Sequence, residues 1–100
     1  PVIDKDQGAR VIAAFRKIEV EMDSNWNRRY RENMVRIKSG DLLEVARVVK
    51  GLMLREDARG LSTGERKMLH VAKQILISEL VLSQSSSYEE IEARINCALA

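Results

Sequence analysis

Ser62-Thr-Gly-Glu-Arg-Lys-Met-Leu-His-Val-Ala-Lys-Gln-Ile-Leu-Ile-Ser-Glu-Leu-Val-Leu-Ser83 is the longest strongly apolar stretch of this 100-residue chain, and its reading decides the architecture. Ser62-Thr-Gly-Glu65 has the form of a capping box. A serine oxygen there can accept the N3 amide while the glutamate reaches back to the cap amide. The spacing predicts a helix from about Thr63 to Ser83. Met68, Leu69, Ala72, Ile75, Leu76, Leu80 and Leu82 circle much of its circumference, which marks it as the central helix.

Working outward, Gly60 is the natural stop of a preceding helix that Asp41 can cap. That helix carries Leu42, Val45, Ala46, Val49 and Leu52/Met53 on one side and fades through Arg55-Glu-Asp-Ala-Arg59. Gly40 ends a further helix, about Asn25 to Ser39, in the usual C′ role. Its stripe is Trp26, Tyr30, Met34 and Ile37, and Asp23-Ser24-Asn25 offers three good N-cap types. Before it, Val11, Ala14, Phe15 and Ile18 predict a short helix from about Arg10 to Val20, with Gly8 as an early break. After the central helix, Ser85-Ser86-Ser87 reads as a loop. Ser86 or Ser87 caps a last helix to about Leu99, with Ile91, Ile95 and Leu99 inward. The only proline is Pro1, no segment alternates with period two, and no repeat of 20–50 residues occurs. The expected fold is all-α, a compact bundle of five helices with short loops.

Composition agrees and excludes much. Apolar residues are 45% and charged residues 32%, with only 4% aromatic, so Leu, Ile, Val, Ala and Met must build the core of one soluble domain. No apolar run approaches the roughly 18 residues a membrane helix needs, and no export signal is visible. The single cysteine, Cys97, rules out an internal disulfide and fits a reducing compartment. Its place in an amphipathic segment predicts a small buried apolar residue. His70 is mid-helix without a cysteine at metal-ligand spacing, so no metal site is expected and the histidine should lie at the surface or partly packed. Gly60-Leu-Ser-Thr-Gly-Glu-Arg-Lys67 lacks the GxxxxGK[ST] spacing of a phosphate loop and follows a helix, not a strand. A helix–helix joint is its simpler role. Carboxylates such as Glu89 and Glu90 sit near Arg94 at helical pairing distance. Nothing forms an acid–base pair, so no enzyme, cofactor or small-molecule substrate is expected.

Net charge is only +2, but it is polarised. Between Trp26 and Lys38, Arg28, Arg29, Arg31, Arg36 and Lys38 stand against Glu32 alone. Between Tyr88 and Ala100, Glu89, Glu90 and Glu92 stand against Arg94. Trp26-Asn-Arg-Arg-Tyr-Arg31 combines guanidinium forks that match phosphate oxygens, hydrogen-bonding Asn27 and Tyr30, and a flat indole, all at a helix N-terminus that favours anions. The helical wheel complicates this. At 100° per residue Trp26 shares the apolar stripe with Tyr30, Met34 and Ile37, where a tryptophan is more often core than wedge. The wheel also puts Arg28 and Arg31 on one side and Arg29 and Arg36 on another, so Arg29 or Arg36 could bond a neighbouring helix instead of phosphate. Pattern leaves two readings open: a DNA-contacting module, or a helical protein-interaction module with Trp26 in the core or as a partner anchor.

Longer motifs narrow the choice. Ser24-Asn-Trp-Asn-Arg-Arg-Tyr-Arg-Glu-Asn33 and Lys38-Ser-Gly-Asp41 resemble the C-terminal domain of the CarD/CdnL family of bacterial transcription regulators. So do Val45-Ala-Arg-Val-Val49, Arg59-Gly-Leu-Ser-Thr-Gly-Glu-Arg-Lys-Met-Leu69 and Ala72-Lys-Gln-Ile-Leu-Ile-Ser-Glu-Leu80. The resemblance implies a five-helix domain that contacts promoter DNA at the upstream edge of the transcription bubble. There a tryptophan wedges into the minor groove, basic residues hold the backbone, and the RNA polymerase open complex is stabilised. By motif position the wedge is Trp26. Arg31 and Arg66 fall on basic positions tied to DNA binding, and Arg28 is a further phosphate contact. Asn25, Arg29 and Lys67 are candidates for DNA contact or for structural support. Val71 departs from a lysine common in the family and His70 from a small residue, which puts DNA contact from that turn in doubt. The family also has an N-terminal domain that binds the polymerase β subunit. No β-rich segment precedes Gly8, so that tether is expected to be missing from this chain. Residues 1–24 would then be linker and short first helix, and 25–100 the rest of one DNA-contacting domain. The implied setting is the bacterial cytoplasm, on the nucleoid.

Overall fold

The computed structural model describes residues 4–18 and 24–99, the side chains of 98 and 99 excepted. Five helices follow one another: α1 Lys5–Lys17, α2 Trp26–Lys38, α3 Leu42–Arg59, α4 Thr63–Gln84 and α5 Tyr88–Leu99. Among the described residues there is no strand, and no helix is long and apolar enough to cross a membrane. The all-α, five-helix expectation holds. Helix α4 packs against each of the other four, so it is central as its sequence suggests.

Local chemistry accounts for most boundaries. Asp41 accepts the Leu43 amide at 3.0 Å to start α3. Gly60, at φ +78°, ends that helix by donating its N–H to the Arg55 and Glu56 carbonyls. The positive φ explains the glycine, because a side chain there would be strained. Gly40 takes φ +79° just beyond α2. Ser87 and Glu90 form a reciprocal cap at α5: the Ser87 hydroxyl accepts the Glu90 amide at 3.2 Å, and the Ser87 amide donates to the Glu90 carboxylate at 3.4 Å.

Several expectations need correction. Helix α1 begins at Lys5, five residues before the periodicity suggested. Asp4 and Gln7 form a capping box there that the apolar pattern could not reveal. Gly8 is no break but a buried residue inside that helix, where α1 crosses α4. A Cβ at this position would collide with the Ser83 and Gln84 side chains. Helix α1 also ends at Lys17, with Ile18 extended, short of the predicted end near Val20; the acidic Glu19 to Asp23 lie outside the described residues. Arg55 to Arg59 remain helical to the end of α3. Helix α4 is not apolar all round in its surroundings. Met68, Ala72, Leu76, Ile77 and Leu80 are buried, whereas Ile75 and Leu82 face solvent. Cys97 is exposed, because Ile91 and Ile95 take the buried side of α5. Leu99, expected to face inward, is one of the two side chains not described. His70 is at the surface, within expectation.

Phe15, fully buried, anchors α1 in the core between α3, α4 and α5. Beside it lies a residue that apolar periodicity does not flag. Lys50 is buried in α3 and donates to the carbonyls of Phe15 at 2.6 Å and Arg16 at 3.0 Å, with its ammonium 5.8 Å from the Phe15 ring centre. A cation at a helix C-terminus satisfies carbonyls that the helix itself cannot, and the macrodipole favours it. Replacement by Lys50→Met keeps the stem but removes the donor, leaving two carbonyls without their ammonium. Urea denaturation should register a loss of about 1–3 kcal/mol.

Candidate nucleic-acid interface

The basic–aromatic cluster forms the first turn of α2. Asn25 is the N-cap, accepting the Arg28 amide at 3.1 Å. This fixes where the helix starts and therefore where Trp26 projects. Trp26 is 43% exposed. Its ring stacks on Tyr30, one turn on, with centroids 5.0 Å apart and planes at 21°. Its indole N–H donates to the Ser62 hydroxyl at 3.1 Å. Gly64 in the first turn of α4 passes beside the pair: a Cβ there would sit 3.6 Å from Tyr30 and 3.8 Å from Trp26. The wheel was right about the stripe, but Trp26 lies at its end, in the helix's first turn, and remains half in solvent.

The three neighbouring arginines separate. Arg28 and Arg31 are exposed, whereas Arg29 is 3% exposed and turned inward to a buried Glu65. Arg29 Nε donates to Oε2 at 2.7 Å and Nη2 to Oε1 at 3.1 Å, the two-pronged geometry that makes guanidinium–carboxylate pairs strong. Nη1 also reaches the Ser24 carbonyl at 3.2 Å, just outside α2. Arg36, on the same side of the wheel, pairs with Glu44 at 3.4 Å. Of the candidate residues, Arg29 therefore supports the structure, and Asn25 caps its helix.

The capping box at α4 is only half formed as its sequence suggests. Ser62 accepts the Glu65 amide at 3.2 Å, but the Glu65 carboxylate bonds Arg29 and receives the Ser62 hydroxyl at 3.3 Å. Hydrogen bonding from Arg29 outweighs burial and, helped by the charge of Arg29, the Ser62 hydroxyl and more distant Arg55, holds the Glu65 carboxyl below its ordinary range.

Arg66 and Lys67 follow in the same turn, both exposed. Arg66 makes a long ion pair with Glu56 at 3.8 Å, a contact too solvated to restrain it much. Lys67 edges an apolar groove of about 200 Å³ lined also by Tyr30, Met34, Ile37, Met68 and Val71. The fold thus brings the N-termini of α2 and α4 together. Trp26 is held between them, with Arg28 and Arg31 on one helix and Arg66 and Lys67 on the other. Ser62 and Glu65 were visible in the sequence only as a cap. Their contacts to Trp26 and Arg29 span 36 residues, and nothing in a local pattern announces them.

The family model for the C-terminal domain of CarD matches residues 10–96. The chain belongs to that family. It is also 32% identical over 93 residues to a Bacillus subtilis (strain 168) protein named "Putative transcription factor YdeB". The match covers 93% of this chain and 61% of that relative. In this CarD C-terminal domain the Arg29–Glu65 pair joins two helix ends and is buried, so removing one partner alone is costly. Arg29→Ala leaves a buried carboxylate uncompensated and should lower unfolding free energy by about 3–5 kcal/mol in urea titrations. Because the folded-state pKa of Glu65 is depressed, its contribution is complete above the ordinary glutamate range. It is lost as pH falls through the lower folded value. Melts recorded across the acid range should show this loss in the native chain and a shallower one in Glu65→Gln.

Proposed function

We propose that this domain is the DNA-contacting part of a bacterial transcription regulator and acts without catalysis. In this reading it meets promoter DNA at the upstream edge of the transcription bubble. Trp26 wedges into the minor groove, and Arg28, Arg31 and Arg66 hold the phosphate backbone, with Lys67 in support. The family's N-terminal domain would tether it to RNA polymerase in the bacterial cytoplasm, and the open complex would live longer as a result. The observation that carries the reading is Trp26 itself. It is an aromatic ring half exposed yet held by a stack and a hydrogen bond, at a meeting of two helix N-termini that both carry basic side chains. Proteins that open or bend DNA insert flat apolar groups in this manner, and free helix amides beside arginines favour phosphate. Family membership and the name of the Bacillus subtilis relative support a role in transcription.

A second reading has an observation of its own. Val35, Val71, Ile75 and Leu82 are exposed, and the groove beside Tyr30 is apolar, as a protein-binding surface would be. The two readings part on Trp26. In a full-length protein carrying this domain, Trp26→Ala should shorten the open-complex lifetime about tenfold, the scale of one lost base–aromatic contact. An unchanged lifetime together with unchanged melting would refute the wedge. The three arginines should give a plot of log affinity against log salt a slope of about −3, with each alanine substitution reducing it by about 1. A protein-binding surface would leave DNA affinity indifferent to all four changes.

A further inference from the structure

The Ser62 hydroxyl sits at a junction of three polar groups. It accepts from the Trp26 indole N–H at 3.1 Å and from the Glu65 amide at 3.2 Å, and faces the Glu65 carboxylate at 3.3 Å. A hydroxyl has one proton to give and two lone pairs. An indole N–H and a backbone amide can only donate, and an ionised carboxylate can only accept. The direction of every bond is therefore forced. Ser62 must give its proton to Glu65, and both lone pairs are then turned to the indole and the amide. Glu65 is fixed in turn by the two bonds from buried Arg29. The chain runs from the interior to the surface without a free rotor.

We infer that Ser62 is a positioning residue for Trp26: with the Arg29–Glu65 pair behind it, it sets the orientation of the indole before DNA arrives. The inference rests on the wedge reading above and adds two properties to it. The only polar atom of the indole is committed to the Ser62 hydroxyl, so the ring meets DNA as an apolar surface. It does not act as a donor to base acceptors in the groove. The ring is also held from two directions, by the Tyr30 stack and by the Ser62 bond, so little rotamer freedom is left to lose on binding. A preset, donorless wedge discriminates by how readily a base step opens, and not by hydrogen-bond pattern.

The test separates cap from anchor. Ser62→Gly removes the hydroxyl while glycine remains a tolerable N-cap, and Ser62→Thr restores the hydroxyl. A second variant leaves the cap untouched: benzothienylalanine at Trp26 keeps the ring shape and lacks the N–H. In this chain, nitrogen-15 labelling of the tryptophan reports solvent exchange of the indole proton. In the full-length protein, open-complex lifetime reports the wedge. Ser62→Gly should speed indole exchange and shorten the lifetime about two- to tenfold, the factor associated with one hydrogen bond. Ser62→Thr should reverse both, and benzothienylalanine should shorten the lifetime like Ser62→Gly. Unchanged indole exchange in Ser62→Gly overturns the anchor. Faster exchange with an unchanged lifetime, while Trp26→Ala still shortens it, overturns positioning and leaves the wedge standing. A lifetime indifferent to Trp26→Ala overturns the wedge reading and this inference with it.

Discussion

A guanidinium and a carboxylate buried at the start of two helices make a demanding arrangement. Removing either charge from water costs several kcal/mol, and the mutual attraction offsets this only when geometry is good and remaining polar atoms are satisfied. Arg29 and Glu65 meet both conditions. Two bonds join them, a third guanidinium bond goes to the Ser24 carbonyl, and the Ser62 hydroxyl gives the carboxylate a further bond. The pair consequently has one acceptable arrangement, and it ties the N-terminus of α2 to that of α4. Apolar contacts alone allow helices to slide by fractions of a turn. A buried bidentate pair does not.

The surface follows from that constraint. With the two helix starts locked, Ser62 falls under the indole of Trp26 and Gly64 passes beside the aromatic stack. The basic residues of α4's first turn, Arg66 and Lys67, then follow the residue that holds the indole. The wheel had already sorted the arginines: Arg29 and Arg36 on the side that pairs with Glu65 and Glu44, Arg28 and Arg31 on a side where both are exposed. Adjacent residues in one cluster thus have opposite duties, because 100° of helical rotation separates a buried position from an exposed one. The C-terminus of α1 is organised on the same principle. Lys50 closes the C-terminus of α1 from within α3, so a buried charge again defines how one helix ends against another.

Where the apolar pattern misled, the deciding fact lay in the surroundings of the residue and not in its periodicity. Ile75, Leu82 and Cys97 have the residue types of a core and lie at solvent, because periodicity defines a face but not whether a neighbour covers it. Gly8 has the residue type of a break and lies within a helix, because close approach to Ser83 and Gln84 demands the absence of a side chain. Trp26 was ambiguous on the wheel for a related reason. Its angular position is apolar, but its axial position, in the helix's first turn, leaves it half exposed.

The sequence by itself determined the five helices, most of their ends and the family. Caps such as Asn25, Asp41 and Ser62, and stops such as Gly40 and Gly60, act within five residues and can be read without knowing the fold. The motif series from Ser24 to Leu80 likewise carried the CarD resemblance that the family match to residues 10–96 bears out. Only the tertiary structure decided that Ser62 anchors Trp26, that Glu65 leaves its own helix cap for Arg29, and that Lys50 is buried. Each of these contacts links residues more than 30 positions apart. Hydrogen-bond partners at that separation are chosen by which helix ends meet in space, and no local spacing encodes that.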